Sequence, residues 1–153
     1  EEAELGIFEA GISEMGEMGA LKRMIKPTIG ILTNIGGAHQ ENFFSLQEKC
    51  MEKLTLFKDC DVVIYNGDDE FISNCVAKSM LSAREIAWSR KDMERPLFIS
   101  KVEKKEDCTV LSFSDGMFPT HHCKSTHGTS FFCLYDFTQP SVWILEHICN
   151  PFY

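Results

Sequence analysis

The chain has 153 residues, of which 44% are hydrophobic and 25% are charged, as is typical of a soluble globular domain with a core of its own. Its net charge of −8 argues against a nucleic-acid-binding surface, because such surfaces need clustered lysine and arginine. No apolar run is long enough to span a membrane. The seven cysteines are irregularly spaced and form no CxxC pair, which argues against a disulfide framework and indicates a reducing cytoplasm.

Short apolar runs recur along the first 90 residues and predict strands that are buried on both faces. These runs are "LGIFEA" (5–10), "TIGILTNI" (28–35), "DVVIYN" (61–66) and "REIAWS" (84–89). The segments between them have the spacing of helices. Ser13 is predicted to cap one helix, Ser45 and Glu48 form a capping box for the next, and residues 68–80 form a third. Alternating strands and helices predict an α/β fold with a mainly parallel sheet and flanking helices.

The pattern changes after the fourth predicted strand. Residues 96–113 have the pattern of a β-hairpin around a charged turn, and regularity fades from residue 114 onwards. We therefore predict a partial domain over 1–113 and an irregular tail over 114–153. Because the chain opens on glutamate, almost directly before an apolar run, we expect it to be a piece of a longer protein.

Polar residues follow three of the predicted strands, where ligands of parallel sheets bind. Glu9 closes the first strand, Asn34 closes the second and is followed by glycines and His39, and Asn66 closes the third just before Asp68. A carboxylate and an imidazole from neighbouring strand ends could share one divalent metal. Magnesium suits carboxylate oxygen and often bridges to substrate phosphates.

Each of these features also has an ordinary explanation. A strand-end glutamate is usually solvated, Lys49 and Lys53 would usually have solvated amines, and "NGDDE" (66–70) is usually a turn and a helix start. The pattern alone predicts no more than a phosphate or metal site.

Three segments together carry a family resemblance: "FEAGISEMGEM", "KPTIGILTNIGGAHQENFFSLQEKCMEKLTLF" and "VVIYNGDDE". In order and spacing they resemble the central domain of the Mur ligases, ATP-dependent amide-forming enzymes of peptidoglycan synthesis. The resemblance implies the C-terminal part of a P-loop-like central domain. Ala38, just before the histidine, resembles the branch that adds D-alanyl-D-alanine to UDP-N-acetylmuramoyl-tripeptide. "EKCMEKLTLF" resembles the Bacteroidetes form, which is often fused to alanine racemase.

The resemblance implies roles for seven residues. Lys53 falls where the family has a carbamylated lysine. The implied catalytic residues are Lys53 and His39. The implied Mg²⁺ ligands are Glu9, His39 and Lys53; the implied substrate-binding residues are Asn34 and Ser13; the implied nucleotide-binding residues are Asn66 and Asp68.

The implied reaction begins when a peptide carboxylate attacks the γ-phosphate of ATP and forms an acyl phosphate. The amine of D-alanyl-D-alanine then attacks the acyl carbon, and phosphate leaves. The family's phosphate-binding loop, of the "GTNGKT" type, has no counterpart in the sequence, so we expect the chain by itself to be inactive.

The sequence alone leaves two alternative functions open. One is a small metal-binding module that uses the cysteine- and histidine-rich tail, although the spacing there matches no standard zinc site. Its candidate ligands are His121, His122, Cys123, His127, Cys133, His147 and Cys149. The other is a different Mur-type ligase such as folylpolyglutamate synthetase, against which "AHQENF" counts.

Overall fold

The computed structural model describes residues 6–36, 40–106, 109–114 and 121–125. Within them, six strands form one sheet in the order of the sequence. The strands are β1 (Ile29–Leu32), β2 (Val62–Asn66), β3 (Arg84–Ser89), β4 (Leu97–Lys104), β5 (Thr109–Ser114) and β6 (His121–Ser125). The α-helices are α1 (Glu17–Ile25), α2 (Leu46–Thr55) and α3 (Glu70–Ser79), and a 3₁₀ turn spans Gln40–Asn42.

The sheet is parallel from β1 to β4 and antiparallel from β4 to β6. Helix α2 connects β1 to β2, and α3 connects β2 to β3, so both are crossover helices. The predicted α/β class with a mainly parallel sheet is confirmed. The predicted hairpin is β4 and β5, with a register shift between Ile99 and Lys101.

Two apolar clusters lie on the two faces of the sheet. Alternate strand residues such as Leu32, Val63 and Tyr65 pack with the buried helix residues Met18 and Leu54. The intervening residues face the other way and form a second cluster, which includes Ile64, Trp88, Leu97, Ile99, Leu111 and Phe113. Burial on both faces explains why the central strands read as continuous apolar runs rather than as alternating patterns.

The prediction of a strand over residues 5–10 is wrong for the residues described. Gly6–Ala10 is irregular, and the side chains of Ile7 and Phe8 are 54% and 66% exposed. A strand forms only where another strand completes its backbone hydrogen bonds. In the described part of the chain, β1 is the edge of the sheet and nothing pairs beyond it. The sequence also gave no sign of β6, which pairs with β5.

The prediction that Ser13 caps the first helix is also wrong. Helix α1 begins four residues later, and its N-cap is Gly16, whose φ of 89° is easily reached only by glycine. The capping box predicted for α2 is confirmed for Ser45 as the N-cap, whereas Glu48 reaches the N–H of the residue before it. Ser45 Oγ accepts a hydrogen bond from the Glu48 N–H at 3.1 Å, while the Glu48 carboxylate accepts one from the Phe44 N–H at 2.8 Å.

None of the three α-helices in the described residues has the length and apolar character needed to cross a lipid bilayer.

Close packing of β1 on the end of α2 depends on Gly30. A Cβ atom at this position would lie 2.4 Å from Cδ1 of the buried Phe57 ring, closer than carbon atoms can approach. We expect Gly30→Ala to lower the free energy of unfolding by about 1–3 kcal/mol, the usual cost of overpacking a core. Urea unfolding measures this change. Gly11→Ala is the matched control, since a Cβ there meets nothing within 4 Å; equal effects of the two substitutions would contradict the packing described.

Candidate functional site

The carboxyl ends of β1, β2 and β3 lie at the same edge of the sheet, because the three strands are parallel and in register. Helix α2 starts beyond this edge and runs back along the sheet to the start of β2. Helical side chains tilt towards the N-terminus of their helix. Lys49 and Lys53, one turn apart on α2, therefore lean towards the edge at which the strands end.

Asn66 and Asp68 form a tight turn at the end of β2. Asn66 Oδ1 accepts a hydrogen bond from the Asp68 N–H at 3.0 Å. The two oxygens of Asp68 reach the end of β3, where Oδ1 accepts from the Ser89 hydroxyl at 2.5 Å and Oδ2 accepts from the Arg90 N–H at 2.8 Å. In the structure the two side chains thus join β2, its turn and the end of β3. Their binding of a nucleotide stays a prediction.

The loop after β1 leads towards His39. Asn34 in this loop is exposed, as a residue that contacts a substrate would be. The carbonyl oxygen of Gly36 accepts a hydrogen bond from Lys49 Nζ at 2.8 Å. His39 lies outside the described residues, so its predicted contact with Glu9 and Lys53 stays a prediction.

Lys49 is not solvated, contrary to the ordinary reading of its position. Only 4% of the residue is exposed, and its Nζ lies 5.8 Å from the centroid of the Phe43 ring. A buried ammonium needs compensating contacts, and here it has a carbonyl oxygen and an aromatic face among its neighbours. Lys49 therefore connects α2 to the loop after β1.

Lys53 is half-buried on the same side of α2. Burial lowers the pKa of its amine below the ordinary 10.5, and the positive charge of Lys49 lowers it further, while Cys50 and the Glu9 carboxylate act in the opposite sense. Glu9 itself is exposed, in the irregular segment before α1. Lys53 therefore loses its proton more easily than a solvated lysine, and the negative charge of Glu9 opposes this effect.

Ser13 is held by its backbone rather than by its side chain. Its N–H donates to Glu17 Oε2 at 2.6 Å, and its carbonyl oxygen accepts from Asn42 Nδ2 at 3.0 Å. Ser13 is half-buried, in the loop that separates Glu9 from α1. The substrate-binding role predicted for Ser13 and Asn34 is not tested by these contacts.

Sequence reasoning missed Glu52, a buried residue of α2 that is only 8% exposed. Its Oε1 accepts hydrogen bonds from the backbone N–H groups of Gly16 at 2.8 Å and Met18 at 3.1 Å. A carboxylate at a helix N-terminus satisfies free N–H groups and is favoured by the helix dipole. Glu52 therefore supplies the cap of α1 that Ser13 was expected to provide.

Two of the three predicted Mg²⁺ ligands, Glu9 and Lys53, lie among the described residues. Within 6–36, 40–106, 109–114 and 121–125, no group of three or more histidine, cysteine, aspartate or glutamate residues could hold a metal ion. The predicted set needs instead Glu9, His39 and a modified Lys53. Glu9 offers carboxylate oxygen, and the neutral amine of Lys53 can add carbon dioxide to give a second carboxylate-like donor. These two residues fit the oxygen preference of Mg²⁺.

The depressed pKa of Lys53 has a consequence for stability. Below pH 10.5 the unfolded chain binds a proton at this amine more readily than the folded chain does, so protonation at neutral pH opposes folding. We expect Lys53→Met to raise the free energy of unfolding at pH 7, by on the order of 1 kcal/mol. The gain should shrink as the pH rises towards 10.5.

Urea unfolding at several pH values measures this effect. Lys58→Met is the matched control, because Lys58 is exposed just beyond the same helix. A Lys53→Met variant that is no more stable than the parent at pH 7 would contradict the desolvated state of the amine.

Comparison with known proteins gives a consistent result. Residues 1–127 match the model of the Mur ligase middle domain. Among curated proteins, the UDP-N-acetylmuramoyl-tripeptide–D-alanyl-D-alanine ligase of Rickettsia prowazekii is 36% identical over 81 residues, which are 51% of this chain and 17% of that protein. The ligase of the same name from Bacillus subtilis is 32% identical over 77 residues, or 48% and 17% of the two chains. The chain thus spans about a sixth of the length of these relatives.

Solved structures agree on the fold. The MurF ligase of Thermotoga maritima in complex with ADP has a TM-score of 0.59 at 16% identity, covering 76% of this chain and 27% of that one. MurF of Acinetobacter baumannii has a TM-score of 0.61 at 16% identity, covering 78% and 26%. With a family model matched over most of its length, the chain belongs to the Mur ligase family and carries part of its middle domain.

Proposed function

We propose that the chain is part of an ATP-dependent ligase that adds D-alanyl-D-alanine to UDP-N-acetylmuramoyl-tripeptide in peptidoglycan synthesis. The observation that carries the proposal is the match of residues 1–127 to the Mur ligase middle domain. The choice of branch is supported by the names of the three curated relatives, all of which are ligases for this reaction. We also propose a cytoplasmic location, because nucleotide-linked precursors and ATP are found there.

Lys53 is the proposed centre of the site. Its amine, whose pKa is lowered by burial, would add carbon dioxide after losing a proton and would release a second proton, so that a carbamate anion takes the place of the ammonium cation. Together with Glu9 and His39 the carbamate would hold Mg²⁺. A bound Mg²⁺ supplies charge neutralisation for phosphoryl transfer. The neighbouring Lys49 offers a positive charge that favours the carbamate over the neutral amine.

The remaining predicted residues have positioning roles in this proposal. Ser13 lies in the loop before α1 and Asn34 in the loop after β1, and both would contact the peptide carboxylate that attacks the γ-phosphate. Asn66 and Asp68 would shape the nucleotide side through the turn that they already form. Acyl phosphate formation, amine attack and release of phosphate follow as in the family. We propose residues 1–113 as the contribution of this chain to the domain, although β6 extends the sheet to Ser125.

The alternatives are less well supported. A zinc module in the tail would not explain why residues 1–127 match the Mur ligase middle domain. Most of its candidate ligands also lie outside the described residues. Another ligase of the superfamily, such as folylpolyglutamate synthetase, would not account for three relatives that share one name.

The carbamate can be sought in the 153-residue chain itself. In ¹³C-labelled bicarbonate at mildly alkaline pH, we expect a carbamate carbon signal from Lys53 in the ¹³C NMR spectrum, besides that of the α-amine of the chain, because the lowered pKa of Lys53 leaves its amine reactive. Lys53→Arg should remove the Lys53 signal, since a guanidinium remains protonated. Lys58→Arg should leave it unchanged. A Lys53→Arg spectrum with the same carbamate signals as the parent would place the modification elsewhere.

The activity requires the parts of the enzyme that the chain does not span. We expect a Bacillus subtilis ligase whose matching segment is replaced by residues 1–127 to consume ATP only with the UDP-linked tripeptide and D-alanyl-D-alanine. Lys53→Ala in this hybrid should lower kcat by roughly 100-fold or more, as loss of charge stabilisation at a reacting centre does. Lys58→Ala should have little effect. Full activity of the Lys53→Ala hybrid, or a preference for another amine, would refute the proposal.

A further inference from the structure

Helix α2 carries three charged residues on one face, at the spacing i, i+3 and i+4: Lys49, Glu52 and Lys53. Lys49 and Glu52 are almost completely buried, at 4% and 8% exposure, whereas Lys53 is half-buried. Buried charges destabilise a fold unless hydrogen bonds compensate them, and apolar residues of similar size could fill the same volume. The presence of two such charges side by side therefore calls for an explanation other than packing.

The two buried residues contact the backbones of different loops. Lys49 Nζ donates to the Gly36 carbonyl oxygen at 2.8 Å, thirteen residues earlier and three residues before His39. Glu52 Oε1 accepts from the Gly16 N–H at 2.8 Å and the Met18 N–H at 3.1 Å, more than thirty residues away in sequence. One residue thus holds the loop after β1, and the other holds the start of α1.

The segments held in this way are those that carry the other proposed ligands. Glu9 lies in the irregular stretch before Gly16, and His39 comes three residues after Gly36 in the chain. Irregular segments lose conformational entropy when their side chains must occupy fixed positions, so a metal site built on them needs support from a rigid element. Helix α2 is that element, because Cys50 and Leu54 on its apolar side are buried in the core.

We propose that Lys49 and Glu52 are positioning residues, which hold the loop after β1 and the start of α1 against the helix that carries Lys53, so that the segments leading to the other proposed ligands are fixed relative to that helix. The inference rests on the proposed function, from which it takes the ligand set. Neither residue touches the metal or the substrate. Each acts through a hydrogen bond to the backbone of the segment that carries a ligand.

Manganese alone is a suitable probe, because it prefers the same oxygen ligands and broadens the NMR signals of nearby nuclei. In bicarbonate buffer, we expect Mn²⁺ to broaden the backbone amide signals around Glu9 and Lys53. Glu52→Met removes both accepted hydrogen bonds, and Lys49→Met removes the donated one, at similar side-chain volume. Each should raise the Kd for Mn²⁺ by about tenfold, the usual result of removing a residue that orients a metal ligand.

Glu52→Gln provides the test that separates positioning from charge, since its amide oxygen can still accept both N–H groups. We expect this variant to bind Mn²⁺ within about twofold of the parent, well short of the tenfold loss. Glu70→Met and Lys78→Met are matched controls for the loss of one charge, because both residues are exposed on α3. They should leave the Kd for Mn²⁺ unchanged. Amide hydrogen exchange should become faster at Gly16 and Met18 in Glu52→Met, and not in Glu52→Gln.

The outcomes are distinguishable. If the parent binds Mn²⁺ through Glu9 and Lys53, and folded Glu52→Met and Lys49→Met variants bind it equally well, the positioning role is refuted and the proposed site stands. If Glu9→Gln and Lys53→Met leave the Kd of the parent unchanged, the proposed site fails and the positioning role fails with it. If Glu52→Met loses its native circular dichroism spectrum, the Kd of Lys49→Met for Mn²⁺ tests the positioning role instead, because Lys49 holds the other loop.

Discussion

The buried polar face of α2 is the constraint on which the site depends. The helix has to pack Cys50 and Leu54 into the core, and it also brings Lys49 and Glu52 out of water. The two charges are compensated by backbone groups of loops that are remote in sequence. The loop after β1, the N-terminus of α1 and Lys53 are therefore fixed relative to one helix, and the orientation of that helix is set in turn by the parallel strands that it connects.

Most of the sheet could be predicted from the sequence because its strands are short apolar runs separated by helical patterns. β2 and β3 are found where the apolar runs place them, and the hairpin of β4 and β5 follows from its charged turn. The run at 5–10 has the same composition as a strand, yet its described residues are irregular and exposed. Composition records whether a segment can be buried. It does not record whether a neighbouring strand is present to pair with it.

The resemblance assigns Glu9, His39 and Lys53 to a metal site by their positions in motifs, and this set stays a prediction. The structure adds that burial lowers the pKa of Lys53. Lys49 and Glu52 were missed because their partners lie 13 to 36 residues away, a separation that no local pattern records. One signal was present. Lys49 falls three residues after Leu46 in the sequence of α2, on the side of the helix that carries its apolar residues, where a solvated charge is not expected.

The junction of β3 and β4 has a consequence for how the sheet is assembled. Among the residues that the structure describes, only two strand pairs, Trp88 with Leu97 and Ser89 with Phe98, connect the backbone of β3 to that of β4. Strands β4 and β5 are close in the sequence and can pair through local contacts, whereas β1 and β2 pair only after a chain segment of about thirty residues has closed into a loop. The antiparallel part of the sheet is therefore expected to form first, and the parallel part that carries the site to acquire its order last.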